Sequence, residues 1–442
     1  MRQVPPLAAA DAARSVDAAP ATDSQATELR SLLPVGTVLL LTKMLFATSR
    51  RSLFAYASFI AEYTGSLQTV LSVLACMNVV AVAAPLVLPI MLTHGLKHHH
   101  VLVVCIVLGF VSLVSLAATL TLACFVPAVL CLGGAVSLSS PAITALYSTL
   151  AKSARTKSAL SALVELSYGM ASFVGLPTFG ALFAVSTSAS FHALAAAMAA
   201  MLPAVWWVGW SRRHIPSRTS LQGQTTSKAC CGGWRQLVRR NDWRTLVTVL
   251  FSAFGIMLTN EVASITFGMW LARDQGWDVA SVGTATFAIG VSDLIGELFV
   301  IAFLSCWQRD PFAFSRGCLI VNCLACCILP PLCALGALPG IVAFMPMQAA
   351  AEAGIVGLLS CVITLSDASL HGQSDGTLES AFQMSSNLAK VIGDLTALHL
   401  YNAIPGGVLA FCTLGFILLF VATVFTFRWF PRPSVSPTMQ GA

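Results

Sequence analysis

Long apolar segments recur along almost the whole chain and limit it to very few folds. Each segment holds about 20 residues or more with few charges, the length that an α-helix needs to cross a hydrocarbon core of about 30 Å. A transmembrane β-barrel would instead show short segments of alternating polarity. Hydrophobic residues make up 57% of the 442, charged residues make up only 10%, and the mean hydropathy is +0.82. The sequence therefore predicts an all-α integral membrane protein.

Twelve such segments can be counted, and they predict twelve transmembrane helices. The predicted spans are 34–60, 66–92, 101–122, 124–150, 158–184, 188–210, 244–271, 280–305, 317–337, 340–366, 379–402 and 405–429. An even number of spans places both termini on the same side of the membrane.

A basic interval at residues 211–243 divides these spans into two groups of six. It carries seven arginines and lysines but a single acid, Asp242. Short basic loops are retained on the cytoplasmic side of a membrane. The other predicted inner loops are also basic, whereas the predicted outer loops carry one basic residue, Arg273. We therefore expect a multi-pass membrane protein with both termini in the cytoplasm.

These features predict five regions. They are a disordered cytoplasmic N-terminal tail (1–33), a six-helix half (34–210), a basic cytoplasmic linker (211–243), a second six-helix half (244–430) and a cytoplasmic C-terminal tail (431–442). The N-terminal tail is rich in Ala, Asp, Ser and Pro, a composition that buries too little apolar surface to fold.

The two halves resemble each other when they are aligned. An offset of 211 residues matches Gly65 with Gly276, Ser49 with Asn260, Arg50 with Glu261, and Glu62 with Arg273. An offset of 218 residues matches Glu165 with Gln383, Ser167 with Ser385, and Gly175 with Gly393. The pattern predicts an internal repeat of two pseudo-symmetric six-helix halves.

Ten Lys, Arg, Asp and Glu side chains lie within the predicted spans, away from the span ends. The cations are Lys43, Arg50, Arg51 and Lys390, and the acids are Glu165, Glu261, Asp293, Glu297, Glu352 and Asp394. Each would cost about 3 kcal/mol or more if it were unpaired at the bilayer centre, so each must face a partner, the bundle interior or water. So many embedded charges predict a polar central cavity, and the excess of acids favours a protonatable carboxylate or a cationic solute.

Two spans carry these residues on one helical face. In the eleventh span the residues at this spacing are Gln383, Asn387, Lys390 and Asp394. In the eighth span they are the acids Asp293 and Glu297 together with Gly283, Thr286 and Gly290. Intervals of three and four place each set on one side of its helix, which we expect to line the cavity. An intrahelical ion pair between Lys390 and Asp394 is the alternative.

Three acids are candidates for proton transfer. Asp293 and Glu297, one turn apart, repel each other when both are ionised, so one should hold a proton or meet a cation such as Lys390. Glu165, in the cytoplasmic third of the fifth span, is a candidate proton-coupling carboxylate. The alternative for Glu165 is a hydrogen bond to a neighbouring helix.

Two segments carry a resemblance to a known family. One is Ser49-Arg50-Arg51-Ser52-Leu53-Phe54, and the other runs from Lys157-Ser158-Ala159-Leu160-Ser161-Ala162-Leu163-Val164-Glu165 through Gly169, Gly175, Pro177 and Gly180. Together they resemble the major facilitator superfamily, and in particular its bacterial-type drug and sugar efflux members. The Gly/Pro spacing of the second segment is similar to the antiporter motif of that superfamily. The loop at 93–100 departs from its gate motif, because it lacks the characteristic acid and arginine pair, and the loop at 307–311 is equally degraded.

The resemblance implies a secondary transporter that moves a small solute by alternating access, with its site near the midplane between the halves. It also implies that the first and seventh spans line the cavity, so Arg50 and Glu261 would face each other across it. Arg51 would point about 100° away from Arg50. The pair would be either a switch between access states or a permanent bridge.

Proton-coupled antiport is the predicted mechanism, and facilitative uniport of a small polar metabolite or a non-transporting receptor or scaffold are the alternatives. The predicted pathway residues are Arg50, Arg51, Glu165, Asn260, Glu261, Asp293, Glu297, Gln383, Asn387, Lys390 and Asp394. The sequence has no motif typical of an enzyme and indicates neither a cofactor nor a metal site. We expect a monomer in the lipid bilayer whose partners are the solute and protons, and no nucleic acid.

Overall fold

In the computed structural model, the described residues fold into helices joined by short turns, with no strand among them. The described residues are 23–93, 96–150, 160, 163–210, 243–303, 310–370, 377–403 and 407–430. The first half contains α1 (Asp23–Ala55), α2 (Ala57–Thr64), α3 (Leu67–Thr93), α4 (His98–Ala118), α5 (Leu122–Leu150), α6 (Ser167–Met170), α7 (Leu176–Val185) and α8 (Thr187–Trp210). The second half contains α9 (Trp243–Met269), α10 (Val279–Ile301), α11 (Pro311–Cys333), α12 (Ala337–Leu370), α13 (Thr377–Ala403) and α14 (Gly407–Trp429).

Two segments of π-helix lengthen these spans. Residues Ala171–Gly175 join α6 to α7, and the three pieces lie within one continuous span, Leu163–Val185, which is called the α6–α7 span below. Residues Trp270–Asp274 extend α9. Helices suit a membrane because they satisfy every backbone polar group within the segment.

Most of the described helices can cross a membrane. Ten spans are long and apolar enough, or eleven if the bent pair of α2 and α3 counts as one. α13 is not among them because its many polar residues, among them Gln383, Asn387, Lys390 and Asp394, lower its hydropathy, although its 27 residues reach about 40 Å. The predicted all-α fold is confirmed, and the count of twelve spans stays a prediction.

The first helix begins earlier than the sequence predicts. α1 starts at Asp23, so residues 23–33, which we assigned to a disordered tail, are helical. Good helix formers such as Ala26, Glu28 and Leu29 explain this difference. The rest of the predicted N-terminal tail, the C-terminal tail, and the basic linker apart from Trp243 lie outside the described residues.

The predicted start of the ninth span is also wrong. α11 begins at Pro311, and the carboxylate of Asp310 caps it by accepting a hydrogen bond from the N–H of Phe312 at 3.0 Å. An acidic N-cap followed by proline is a strong start signal for a helix, which we overlooked. Arg316, predicted in a loop, therefore lies within α11 and donates a hydrogen bond to the carbonyl of Thr426 at 3.1 Å.

The predicted first span is broken at Tyr56. α1 ends one residue earlier, and α2 then meets α3 at an angle of 114°. Gly65 permits this turn, because its φ of +102° is strained for any residue with a side chain. The fully buried Tyr56 donates a hydrogen bond to the carbonyl of Leu176 at 3.1 Å, which ties the break to the α6–α7 span.

The internal repeat is visible in both backbone and packing. Gly65 and Gly276, which the offset of 211 matches, have φ values of +102° and +67°. Gly175 contacts Thr48 of α1, and its match under the offset of 218, Gly393, contacts Glu261 of α9. These correspondences support two halves of similar design.

The two halves meet along two helix pairs. α10 packs along the α6–α7 span, and α13 packs against α3. The repeat relates these two pairs, since α3 corresponds to α10 and the α6–α7 span corresponds to α13. α1 and α9 also contact each other across the two halves.

Gly290 allows the close approach of α10 to the α6–α7 span. A Cβ atom on Gly290 would lie 2.3 Å from the carbonyl carbon of Ser172 and 2.4 Å from the nitrogen of Phe173. Both are backbone atoms, which cannot rotate aside as a side chain can. A larger residue would therefore push the halves apart.

We predict that Gly290→Ala lowers the melting temperature of the purified protein in detergent. Forced overpacking costs about 1–3 kcal/mol. Gly317→Ala is the matched control, because nothing lies within 4 Å of a Cβ there and alanine favours a helix over glycine by about 0.5–1 kcal/mol. Equal melting temperatures for the two variants would show that the contact is not tight.

Candidate functional site

A cavity of about 140 Å³ lies between the halves. A water molecule needs about 10–15 Å³ by the same measure, so the cavity has room for several waters or a small solute. α1, the α6–α7 span, α9, α10, α12 and α13 all contribute to its wall. Nine of the eleven predicted pathway residues line it, namely Arg50, Arg51, Glu165, Asn260, Glu261, Asp293, Glu297, Gln383 and Lys390.

The other two predicted residues lie elsewhere. Asn387 lines a smaller cavity of about 40 Å³, which shares Arg50 and Lys390 with the larger one, and its amide donates to the carbonyl of Ala81 at 3.2 Å. Asp394 lines neither of these two cavities. α3 covers this part of the predicted polar face of α13, which is why the face only partly borders the cavity.

Arg50 links four helices. Its Nη2 atom lies 2.9 Å from Oε1 of Glu261 and donates a hydrogen bond to Oδ1 of Asn78 at 3.3 Å. The amide of Asn78 in turn donates to the carboxylate of Asp394. The side chains of Arg50 and Glu261 are each 13% exposed. The contact that the repeat predicted between these two residues is therefore present, and it joins α1 to α3, α9 and α13.

Arg51 links a different set of helices. Its Nη1 atom lies 2.7 Å from Oδ2 of Asp293 on α10, and its Nη2 atom lies 2.7 Å from Oε1 of Glu352 on α12. Its Nη1 atom also donates to the hydroxyl of Ser172 and to the carbonyl of Tyr168 in the α6–α7 span. The cation that meets Asp293 is thus Arg51, and our suggestion of Lys390 was wrong. Consecutive residues on a helix point about 100° apart, so the two arginines reach different helices.

Glu297 lies in the same acidic group. Its two carboxylate oxygens accept a hydrogen bond from the N–H of Gly169, at 3.1 and 3.2 Å. Among the described residues, no cation lies within 4.0 Å of this carboxylate. Glu297, Asp293 and Glu352 all interact electrostatically with Arg51. Three acids therefore surround one guanidinium.

Glu165 forms a one-to-one ion pair. Its Oε1 atom lies 2.6 Å from Nζ of Lys43, and the two side chains are 12% and 5% exposed. The ammonium group of Lys43 also lies 4.8 Å from the centre of the Tyr168 ring. This pair joins α1 to the α6–α7 span, both within the first half.

Lys390 has no hydrogen-bond or ion-pair partner in the part of the chain that the structure describes. The alternative of an ion pair with Asp394 is therefore not realised there, since Asp394 is bonded to Asn78 instead. Lys390 lines both cavities and interacts electrostatically with Arg50 and Glu261.

Several residues of the site were missed. Asn78, Tyr168 and Ser172 were not predicted, and Lys43 and Glu352 were counted as embedded charges but given no role. A lone Asn in an otherwise apolar span was a signal, because polar groups inside a membrane are usually functional. The spacing of Tyr168 and Ser172 after Glu165, three and seven residues, was a second signal, since it places them on one helical face.

A charge exchange tests the contact between Arg50 and Glu261. Removing one partner of a buried ion pair costs about 3–5 kcal/mol, so Arg50→Glu and Glu261→Arg should each lower the yield of folded protein in detergent. We expect the double exchange to restore most of this yield, as measured by size-exclusion chromatography. A double variant no better than the worse single variant would contradict the pairing.

Arg273→Glu is the control for the charge exchange. Arg273 matches Glu62 under the same offset, but both residues are exposed. Changes at exposed positions rarely alter stability by more than about 0.5 kcal/mol. The yield of this variant should therefore equal that of the unchanged protein.

Comparison with known proteins agrees with this architecture. The family model for the Major Facilitator Superfamily matches residues 39–393, which include most of both helix pairs between the halves and every embedded charge except Asp394. No curated protein matches the chain. Members of this family are transporters and not enzymes, and the match supports a multi-pass secondary transporter. The resemblance that the sequence suggested at the superfamily level is thus confirmed: the chain belongs to the Major Facilitator Superfamily.

Proposed function

We propose that the protein is a proton-coupled antiporter that exchanges a small solute for protons by alternating access. The observation that carries this proposal is the group of three carboxylates, Asp293, Glu297 and Glu352, around the single guanidinium of Arg51 in the cavity. The family match supports secondary transport, and this group supplies the acid–base chemistry for coupling.

The charge of this group favours a bound proton. With all three acids ionised, the group would carry two uncompensated negative charges away from bulk water, which costs several kcal/mol. A proton on one carboxylate removes half of that excess. Asp293 and Glu352 each bond to Arg51 directly, whereas the one hydrogen-bond donor to Glu297 in the described part of the chain is the N–H of Gly169. Glu297 is therefore our candidate for the coupling residue.

The environment of Glu165 argues for another role. Its charge is already balanced by Lys43 at 2.6 Å. A proton on Glu165 would leave the ammonium group of Lys43 buried and unpaired, which is costly. We therefore transfer the coupling role, which the sequence suggested for Glu165, to Glu297.

Protonation at this site would act on the contact between the halves. α1 belongs to the first half, whereas Glu261, Asp293 and Glu352 belong to the second. Each arginine of α1 therefore attracts the opposite half. A change in the charge around Arg51 changes this attraction by a few kcal/mol at most, enough to shift the balance between two access states.

Transport in vesicles tests the proposal. We test a panel of L-phenylalanine, glucose and tetraphenylphosphonium in proteoliposomes. We expect a gradient of one of these solutes to drive protons across the membrane in the direction opposite to the solute. Glu297→Gln keeps the shape of the side chain but cannot release a proton, so at saturating solute it should still exchange solute for solute while losing the proton flux by about tenfold or more. An internal pH dye and labelled solute report the two fluxes.

Glu62→Gln and Glu165→Gln complete the test. Glu62 is exposed, and its replacement should leave both fluxes unchanged. Loss of coupling in Glu165→Gln but not in Glu297→Gln would overturn the assignment to Glu297. Solute equilibration without any proton movement would instead indicate a uniporter, and binding without flux would indicate a receptor.

A further inference from the structure

We propose that the solute is a zwitterion of the amino acid class with an apolar side chain. Its anionic group binds Lys390, and its cationic group binds Glu297. This inference rests on the proposed transport function and names the substrate class of the same cavity.

Two embedded charges of opposite sign in the cavity have no ion-pair partner among the described residues. Seven of the ten embedded ionisable residues form ion pairs within 4.0 Å. Among the described residues, the remaining three, Glu297, Lys390 and Asp394, form none. Asp394 is bonded to Asn78 and does not line the larger cavity, whereas Glu297 and Lys390 both line it.

A buried charge without a counter-ion is unstable, so a ligand of opposite charge binds to it strongly. Lys390 also has a polar neighbour for an anionic group. Gln383 lies two turns earlier on α13 and lines both cavities together with Lys390. An ammonium and an amide can bind the two oxygens of a carboxylate.

A solute with a single charge would fit this cavity poorly. A cation could approach Glu297, but Lys390 and the nearby Arg50 would repel it. An anion could approach Lys390, but it would meet the excess of acid around Arg51. A solute that carries both charges satisfies Lys390 and Glu297 together.

The rest of the cavity wall suits an apolar side chain. Phe54, Leu176, Leu271, Phe267 and Phe344 all line it. The rings of Phe267 and Phe344 are stacked, with their centres 4.4 Å apart, and present a continuous aromatic surface. Apolar walls with a few charged groups are typical of sites for small organic molecules.

This arrangement also gives a reason for exchange. The proton on Glu297 and the ammonium group of the solute neutralise the same carboxylate. They therefore compete for it, so that binding of the solute releases the proton and its departure allows a proton to return. Competition at one site is sufficient to couple the two fluxes in opposite directions.

Three probes that share a phenylethyl group test the inference in proteoliposomes. L-Phenylalanine carries both charges, phenethylamine only the ammonium, and 3-phenylpropanoate only the carboxylate. We expect labelled L-phenylalanine to be taken up, and each analogue to compete with it at least about tenfold less well than unlabelled L-phenylalanine, since one charge-assisted contact is worth about tenfold or more in affinity.

Two variants assign each charge to its residue. Lys390→Gln should lose the preference for L-phenylalanine over phenethylamine but keep the preference over 3-phenylpropanoate. Glu297→Gln should lose the preference over 3-phenylpropanoate but keep the preference over phenethylamine. Lys390→Arg, which keeps the charge, should retain both preferences. Melting temperatures and size-exclusion profiles in detergent identify any variant that is unfolded. If Lys390→Gln is unfolded, Lys390→Arg still tests the role of the charge.

Other results would overturn the inference. Equal competition by all three probes would contradict recognition of two charges, and so would a variant that weakens both preferences alike. If glucose or tetraphenylphosphonium exchanges for protons while L-phenylalanine is not taken up, the substrate class is wrong and the antiport proposal stands. If none of the probes exchanges for protons, the antiport proposal itself fails.

Discussion

Two consecutive arginines on α1 determine how the halves of this protein are joined. A charge inside a membrane must find a partner, and the turn of about 100° between consecutive residues sends Arg50 and Arg51 to different helices. Arg50 meets Glu261 on α9, and Arg51 meets Asp293 on α10 and Glu352 on α12. All three acids belong to the second half. One helix of the first half thus holds the second half by charge, and the cavity lies between the two groups of contacts.

Close backbone packing complements these ion pairs. Gly290 lets α10 approach the backbone of the α6–α7 span across the interface, whereas Gly393 lets α13 approach Glu261 on α9 within the second half. Small residues at such contacts allow helices to pack without a bulky side chain between them. The halves are therefore held together by a few buried ion pairs at the centre and by close helix packing beside them. A change of charge at the centre can shift this balance.

Much of this arrangement was predictable from the sequence. The lengths of the apolar runs indicated the helices, and the offset of 211 residues identified the pair of Arg50 and Glu261, because equivalent positions of a repeat lie at similar depths. The partners of Arg51 were not predictable, because Asp293 and Glu352 are brought together only by the crossing of α10 and α12. The break at Tyr56 and the hydrogen bond from Asn78 to Asp394 also depend on tertiary packing, which hydrophobic periodicity does not encode.

The central claim is that the acid excess around Arg51 holds a proton at Glu297. Infrared difference spectroscopy of the protein in lipid bilayers measures this directly, because a protonated carboxyl group absorbs apart from an ionised one. The account predicts a band of a protonated buried carboxyl group near neutral pH that disappears in Glu297→Gln and persists in Glu62→Gln. The absence of such a band in the unchanged protein, or its persistence in Glu297→Gln, would contradict the account.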